Sequence, residues 1–249
     1  MPAEAAPSFL WIPELPAVGA RLALAADDAH YVSRVCRARP GDVVSATDGR
    51  GSIARLRVTA LEAGVAVEVE SIARHDRARR AWVCCGAPED GRGDWLVEKL
   101  AELGVERFQP IDCERGTWRA SSPRRARWER LAVAALRQSR RAWRMEVGEP
   151  ERVEAVLAGI PAGASRWVAD PDGGPGVAEP GRGLTVGMIG PAAGFSPAER
   201  ERLGGSGFRP LRLAAARLRC ETAAMAWAAW WAATAEPGGE PATDPPAPA

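Results

Sequence analysis

From Ala81 to about Ala233 the chain alternates short apolar runs with helical patterns, and this alternation restricts its fold more than any other feature. The runs at 81–85, 108–111, 166–169, 184–189 and 210–213 read as strands. The segments at 95–103, 122–141, 153–158, from Ser196 onward and 221–233 read as helices. Strands separated by helix-sized crossovers pair in parallel, so an α/β domain with a parallel sheet is expected. Local signals agree: Gly104 stops the first helix, Ser122 and Pro123 suit a helix start, and Ser196-Pro197-Ala198-Glu199 is a capping box with proline in its first turn. No Gly-x-Gly-x-x-Gly spacing occurs, which argues against a dinucleotide-binding fingerprint.

The preceding segment has a different grain. Strands are expected at 21–24, 43–47, 53–61 and 65–72, with Asp48-Gly49-Arg50-Gly51 as a hairpin turn and a short helix over 30–39, a pattern that suits a small barrel. The run Arg74-His75-Asp76-Arg77-Ala78-Arg79-Arg80 has little to bury and reads as a linker. The proline-rich stretch 236–249 reads as a disordered tail. The expected division is therefore 1–73, linker 74–80, 81–235 and tail 236–249.

The formal net charge of +1 hides an asymmetry: from Arg115 to Arg144 there are ten arginines and one acid, Glu129. Such a stretch points to a polyanionic partner. A solvated helix face is the alternative, because Lys99 is the only lysine and arginine is this chain's ordinary cation. Cys36, Cys84, Cys85, Cys113 and Cys220 are odd in number and lack metal-type spacing, so they read as reduced thiols and no metal is expected. Residues 1–16 do not resemble a signal peptide, and the tryptophan-rich stretch 223–235 is too short to span a bilayer. A cytoplasmic protein without membrane association is expected. His30 and His75 do not form a credible catalytic pair.

Two loops stand out: Gly-Met-Ile-Gly-Pro-Ala-Ala-Gly-Phe-Ser-Pro-Ala-Glu at 187–199 and Leu-Ala-Ala-Ala-Arg-Leu-Arg-Cys-Glu-Thr-Ala at 213–223. Each follows a strand and opens a helix, where α/β proteins bind ligands. They resemble the Gly-Pro-Glu-Gly-Gly-Phe-Ser and Leu-Gly-x-Arg-Ile-Leu-Arg-x-Glu-Thr-Ala signatures of the RsmE family. The resemblance extends to His30-Tyr31, Val35-Cys36-Arg37, Gly41-Asp42, Asp48-Gly49-Arg50-Gly51, Glu98-Lys99-Leu100-Ala101-Glu102-Leu103-Gly104-Val105 and Gln138-Ser139-Arg140-Arg141. It implies a SPOUT-class domain with a C-terminal trefoil knot, preceded by a PUA-like RNA-binding barrel. It further implies a homodimer that methylates N3 of a uridine in the 16S RNA of the small ribosomal subunit, with S-adenosyl-L-methionine as donor.

On that resemblance Ala169, Ile189, Gly190, Pro191, Ala193, Gly194, Leu213, Ala214 and Leu218 are the candidates for holding the donor. Arg219, Glu221 and Thr222 match the catalytic motif residue for residue. Loss of the N3 proton leaves negative charge on the flanking carbonyl oxygens, which a guanidinium such as Arg219 can stabilise. His30, Arg34, Arg37, Gln138, Arg140 and Arg141 are the RNA-contact candidates. Trp227, Trp230 and Trp231 share a face of the last helix, as core or subunit-interface packing would require. The chain departs from the family pattern at Ala192, Ala193, Ala214 and Ala216, where glutamate, two glycines and arginine are expected, and Arg217 carries a guanidinium one place later. A catalytically degenerate RNA-binding homologue is the alternative that these departures suggest.

Overall fold

A computed structural model describes residues 8–62, 64–77, 79–89, 91–118, 122–175 and 183–234. Contacts divide the chain into two units. One contains the described residues up to Asp76 together with Leu136–Trp143, and the other those of Arg77–Ala135 and Arg144–Gly239.

The first unit is a five-stranded sheet in the order β1 (Phe9–Trp11), β3 (Val43–Thr47), β4 (Ser52–Ala60), β5 (Ala66–Arg74), β2 (Arg21–Ala23). β1 runs parallel to β3 and the other pairs are antiparallel. Register shifts at Arg55/Leu56 and Val58/Ala60 bend β4 against β5, as bulges do. Leu10, Val44, Ala46, Ala54, Leu56, Val58, Val67 and Val69 form its core. β1 was not foreseen, because three residues before a proline carry too little periodicity. The hairpin turn forms as expected. Asp48 Oδ1 accepts the N–H groups of Arg50 at 2.7 Å and Ser52 at 2.9 Å, and Oδ2 accepts the Ser52 hydroxyl at 2.6 Å.

The helix expected over 30–39 is displaced. α1 spans Ala26–His30 and runs into a single π-helical turn, Tyr31–Val35. Arg37 then takes a left-handed conformation, φ 53°, that a continuing helix does not permit.

The second unit is a parallel sheet in the order β12 (Arg209–Arg212), β10 (Ser165–Pro175), β11 (Gly183–Ile189), β6 (Arg79–Cys85), β7 (Arg107–Asp112), β8 (Glu146–Val147). A short strand, β9 (Glu151–Arg152), also pairs with β7. Alternate residues of a strand face opposite sides, and the two cores follow from this. Val83, Cys85 and Ile189 pack with α2 (Gly93–Glu102), α3 (Ser122–Gln138) and α6 (Cys220–Ala233). Cys84, Val186 and Met188 pack with α4 (Val153–Gly159) and α5 (Pro197–Gly205). The sheet is therefore covered on both faces. Trp227 and Trp231 are buried in the first of these cores, and Trp230 meets the Trp167 ring at 5.5 Å. Of the two roles open to this apolar face, core packing is thus the one it takes within the chain. Among the described residues no helix is long and apolar enough to cross a membrane.

Candidate functional site

The two loops singled out by sequence are brought together at the C-terminal edge of the parallel sheet. β11 ends at Ile189, and Gly190–Phe195 turn into α5. Pro191 is wedged in this turn: a β-carbon on Gly86 would lie 2.4 Å from its nitrogen, and one on Gly116 would lie 2.7 Å from its Cβ. Gly194, at φ 75°, closes the turn by donating its N–H to the Pro191 carbonyl at 2.8 Å. The capping box forms, with the Ser196 hydroxyl accepting the Glu199 N–H. The buried Glu199 carboxylate accepts the N–H of Ser196 at 2.8 Å and of Glu114 at 2.9 Å, which ties the loop to the turn after β7.

The second loop, 213–219, belongs to neither strand nor helix. Among the described residues no backbone hydrogen bond engages 214–218, so a row of amides and carbonyls is available to a ligand. Arg217 crosses to the first loop and donates to the Ala192 carbonyl at 3.3 Å. Between the loops lies a cavity of about 540 Å³. All nine residues expected to hold a small ligand line it, joined by Asp170, Arg200 and Phe208, which sequence reasoning missed. Ala192, Ala193, Ala214 and Ala216 line it too. Among the described residues only Arg37 and Arg140 combine a side chain with positive φ, so these four alanines sit without backbone strain.

A second hollow of about 220 Å³ shares Ala192, Arg217, Leu218 and Cys220 with the cavity and adds Glu89, Arg219 and Glu221. Arg219 is exposed and is the N-cap residue of α6. Glu221 is buried and receives Arg92 Nη1 at 2.9 Å. Arg92 was missed because the pair spans 129 positions and no local pattern announces it. Thr222, the third residue of the matched motif, is exposed on α6 and lines neither space. Beneath the site the Cys85 and Cys220 sulfurs lie 3.3 Å apart as free thiols. Their mutual hydrogen bond, and then burial, push the Cys85 thiol well above its ordinary range, and burial pushes Cys84 up to about 12.

The six RNA-contact candidates come from two distant stretches, yet all fall in the first unit. The π turn and the end of α3 meet there, with the Arg137 guanidinium 5.2 Å from the Tyr31 ring and 3.3 Å from Asp28. His30, Arg34, Arg37 and Gln138 are exposed. Arg140 is half-buried at φ 52°, and burial lowers the Arg141 guanidinium below its ordinary range. The cationic excess of 115–144 is smaller than its sequence suggests. Arg125 pairs with Glu129 and Glu149, Arg127 with Asp94 and Arg137 with Asp28. Arg119 lies outside the described residues.

Comparison with known proteins gives this geometry a context. Residues 75–232 match an RNA methyltransferase domain and residues 24–66 an RNA methyltransferase PUA domain. A ribosomal RNA small subunit methyltransferase E from Synechocystis sp. is 29% identical over 134 residues, covering 53% of this chain and 44% of that protein. The match to its counterpart from Aquifex aeolicus covers 58% of that protein, so the chain spans about half the length of these two curated relatives. The relative from Mycobacterium bovis is 26% identical, with 87% of each chain covered. Among solved structures, a ribosomal RNA small subunit methyltransferase E from Neisseria gonorrhoeae bound to S-adenosyl methionine superposes with a TM-score of 0.78. It is 26% identical, and 90% of this chain and 96% of that one are covered. A probable rRNA methyltransferase from Porphyromonas gingivalis gives a TM-score of 0.77 at 27% identity over the same shares.

Proposed function

The chain belongs to the RNA methyltransferase family, and on that premise we propose that it methylates N3 of a uridine in small-subunit ribosomal RNA with S-adenosyl-L-methionine as donor. One observation carries this reading: two loops at the sheet's C-terminal edge enclose a cavity of about 540 Å³ that adjoins an arginine-bearing hollow through four shared residues. The lining suits the donor. Small side chains let backbone approach an adenine edge, and the unengaged amides and carbonyls of 214–218 supply its hydrogen-bond partners. When bound, the donor supplies a methyl group activated by a sulfonium. Arg219, which lines the second hollow and whose guanidinium has no partner among the described residues, stabilises the charge that forms on the uracil carbonyls. Arg92 holds Glu221 at the start of α6, and Arg217 holds the two loops in register.

We further infer a cytoplasmic location, RNA contact through the first unit, the trefoil-knotted threading that the resemblance implies, and a homodimer. Light scattering at twice the 26.5 kDa chain mass is the expected dimer result, and a monomer at micromolar concentration contradicts it. We place a PUA-like module at 1–73 and the methyltransferase domain at 81–235; of the linker expected at 74–80, Arg74 ends β5 and Arg79 and Arg80 begin β6.

Calorimetric titration with S-adenosyl-L-methionine tests the donor site. Saturable binding by the native chain is expected. Ala193→Gly with Ala214→Gly should tighten it if their methyl groups intrude, by at most the 1 to 3 kcal/mol typical of overpacking, about 5- to 150-fold. No heat from the native chain, with heat restored by those changes and Ala192→Glu, would instead identify a degenerate RNA-binding homologue.

A further inference from the structure

The second hollow holds two carboxylates in unlike circumstances. Glu221 is buried and engaged by Arg92 at 2.9 Å, so its charge is already matched. Glu89, on the loop between β6 and α2, is exposed and has no ion pair or hydrogen bond among the described residues. Ala192 lines the same hollow, and it stands where the family pattern carries a glutamate. An acid is thus absent from one wall of this space and present on another. The remaining charged or titratable groups lining it are Arg217, Arg219 and Cys220 from the 213–220 segment, and Arg92 neighbours Glu89 on its own loop.

Methyl transfer to N3 of uracil requires a proton acceptor on one side of the ring nitrogen and a positive group near a carbonyl oxygen. Resting on the function proposed above, we propose that Glu89 is the carboxylate that takes the N3 proton, in place of the acid missing at Ala192, while Arg219 stabilises the resulting anion. The N–H bond breaks with the proton passing to Glu89. The electron pair left on N3 forms the new N–CH₃ bond while the methyl–sulfur bond breaks, its electrons remaining on sulfur. Water then removes the proton from Glu89. No oxidant, reductant or metal is needed.

The test compares the native chain with Glu89→Gln for transfer of a labelled methyl group to small-subunit RNA across a pH series, with donor affinity measured by calorimetry. The expected result is a fall in kcat of about 100-fold or more at neutral pH. Donor affinity should stay within twofold, and the deficit should narrow at alkaline pH, where solvent removes the N3 proton. Ala192→Glu in the Glu89→Gln background should restore at least tenfold, because both positions face one hollow. A Glu89→Gln rate and pH profile equal to those of an active native chain overturn the proposal, as does a deficit that is uniform with pH and unrelieved by Ala192→Glu. A native chain that binds donor and RNA but transfers no methyl group overturns the functional reading itself.

Discussion

Gly187 illustrates how single positions support the site from below. A β-carbon there would lie 2.4 Å from the buried Trp227 ring, which packs against the strand leading into the first loop. Gly187→Ala should therefore lower stability by about 1 to 3 kcal/mol, read as a shift in denaturant midpoint. An unchanged midpoint would mean that the ring yields without cost. Arg92→Ala removes the partner of a buried carboxylate. Arg92 is itself about half exposed, so the cost should fall between those of surface and buried pairs, about 1 to 3 kcal/mol. Arg219→Ala differs from both: it is expected to leave stability and donor affinity almost unchanged and to lower turnover, because its proposed partner is charge that develops during reaction. A proportional loss of donor affinity would assign Arg219 to the donor instead. The two loops that line the cavity were legible because small residues cluster there beside strand ends and match the motifs of the resembled family. Arg92 and Glu89 were not, since their places depend on a loop whose approach to α6 no short-range spacing encodes.

The hairpin turn after β3 offers a pH test. Burial raises the Asp48 carboxyl, but hydrogen bonds from the Ser52 side chain and from the Ser52 and Arg50 amides outweigh this, and its pKa lies below the usual aspartate value. A carboxylate whose folded pKa is depressed stabilises the fold above its unfolded pKa, and the contribution fades as pH falls through the folded value. Asp48→Asn should thus lower stability at neutral pH by about 1 kcal/mol, with the difference from the native chain shrinking below about pH 4. A difference constant between pH 3 and pH 7 would contradict this. Most elements of the sheets could be read in advance, because short apolar runs and glycine turns are local signals. β1, β8 and β9 escaped, being two or three residues long and defined only by the strand each one meets. α1 was misplaced: helical structure begins at Ala26, ahead of the expected start at His30, and the left-handed turn at Arg37 ends it before Arg39.

For the whole molecule, charge was the least reliable guide. The arginine-rich stretch reads as a bare cationic surface in one dimension, whereas several of its guanidiniums meet acids from other segments. Arg137 is engaged by Asp28 and by the Phe9 carbonyl, so reversing its charge would damage the fold as well as any RNA binding. Arg34 and Arg37 are the better probes, because both are exposed. Replacing both with glutamate should weaken binding to a small-subunit RNA fragment by tenfold or more and flatten its salt dependence, by roughly 0.7 in slope for each phosphate left unneutralised on single-stranded RNA. Binding unaffected by these changes and by salt would remove the first unit from the RNA surface. What leaves the reaction identifies the activity most directly. Unmodified small-subunit RNA incubated with the native chain and isotopically labelled S-adenosyl-L-methionine, then digested to nucleosides and analysed by mass spectrometry, is expected to yield labelled N3-methyluridine. Label on another base, or RNA that binds but emerges without label, would contradict it.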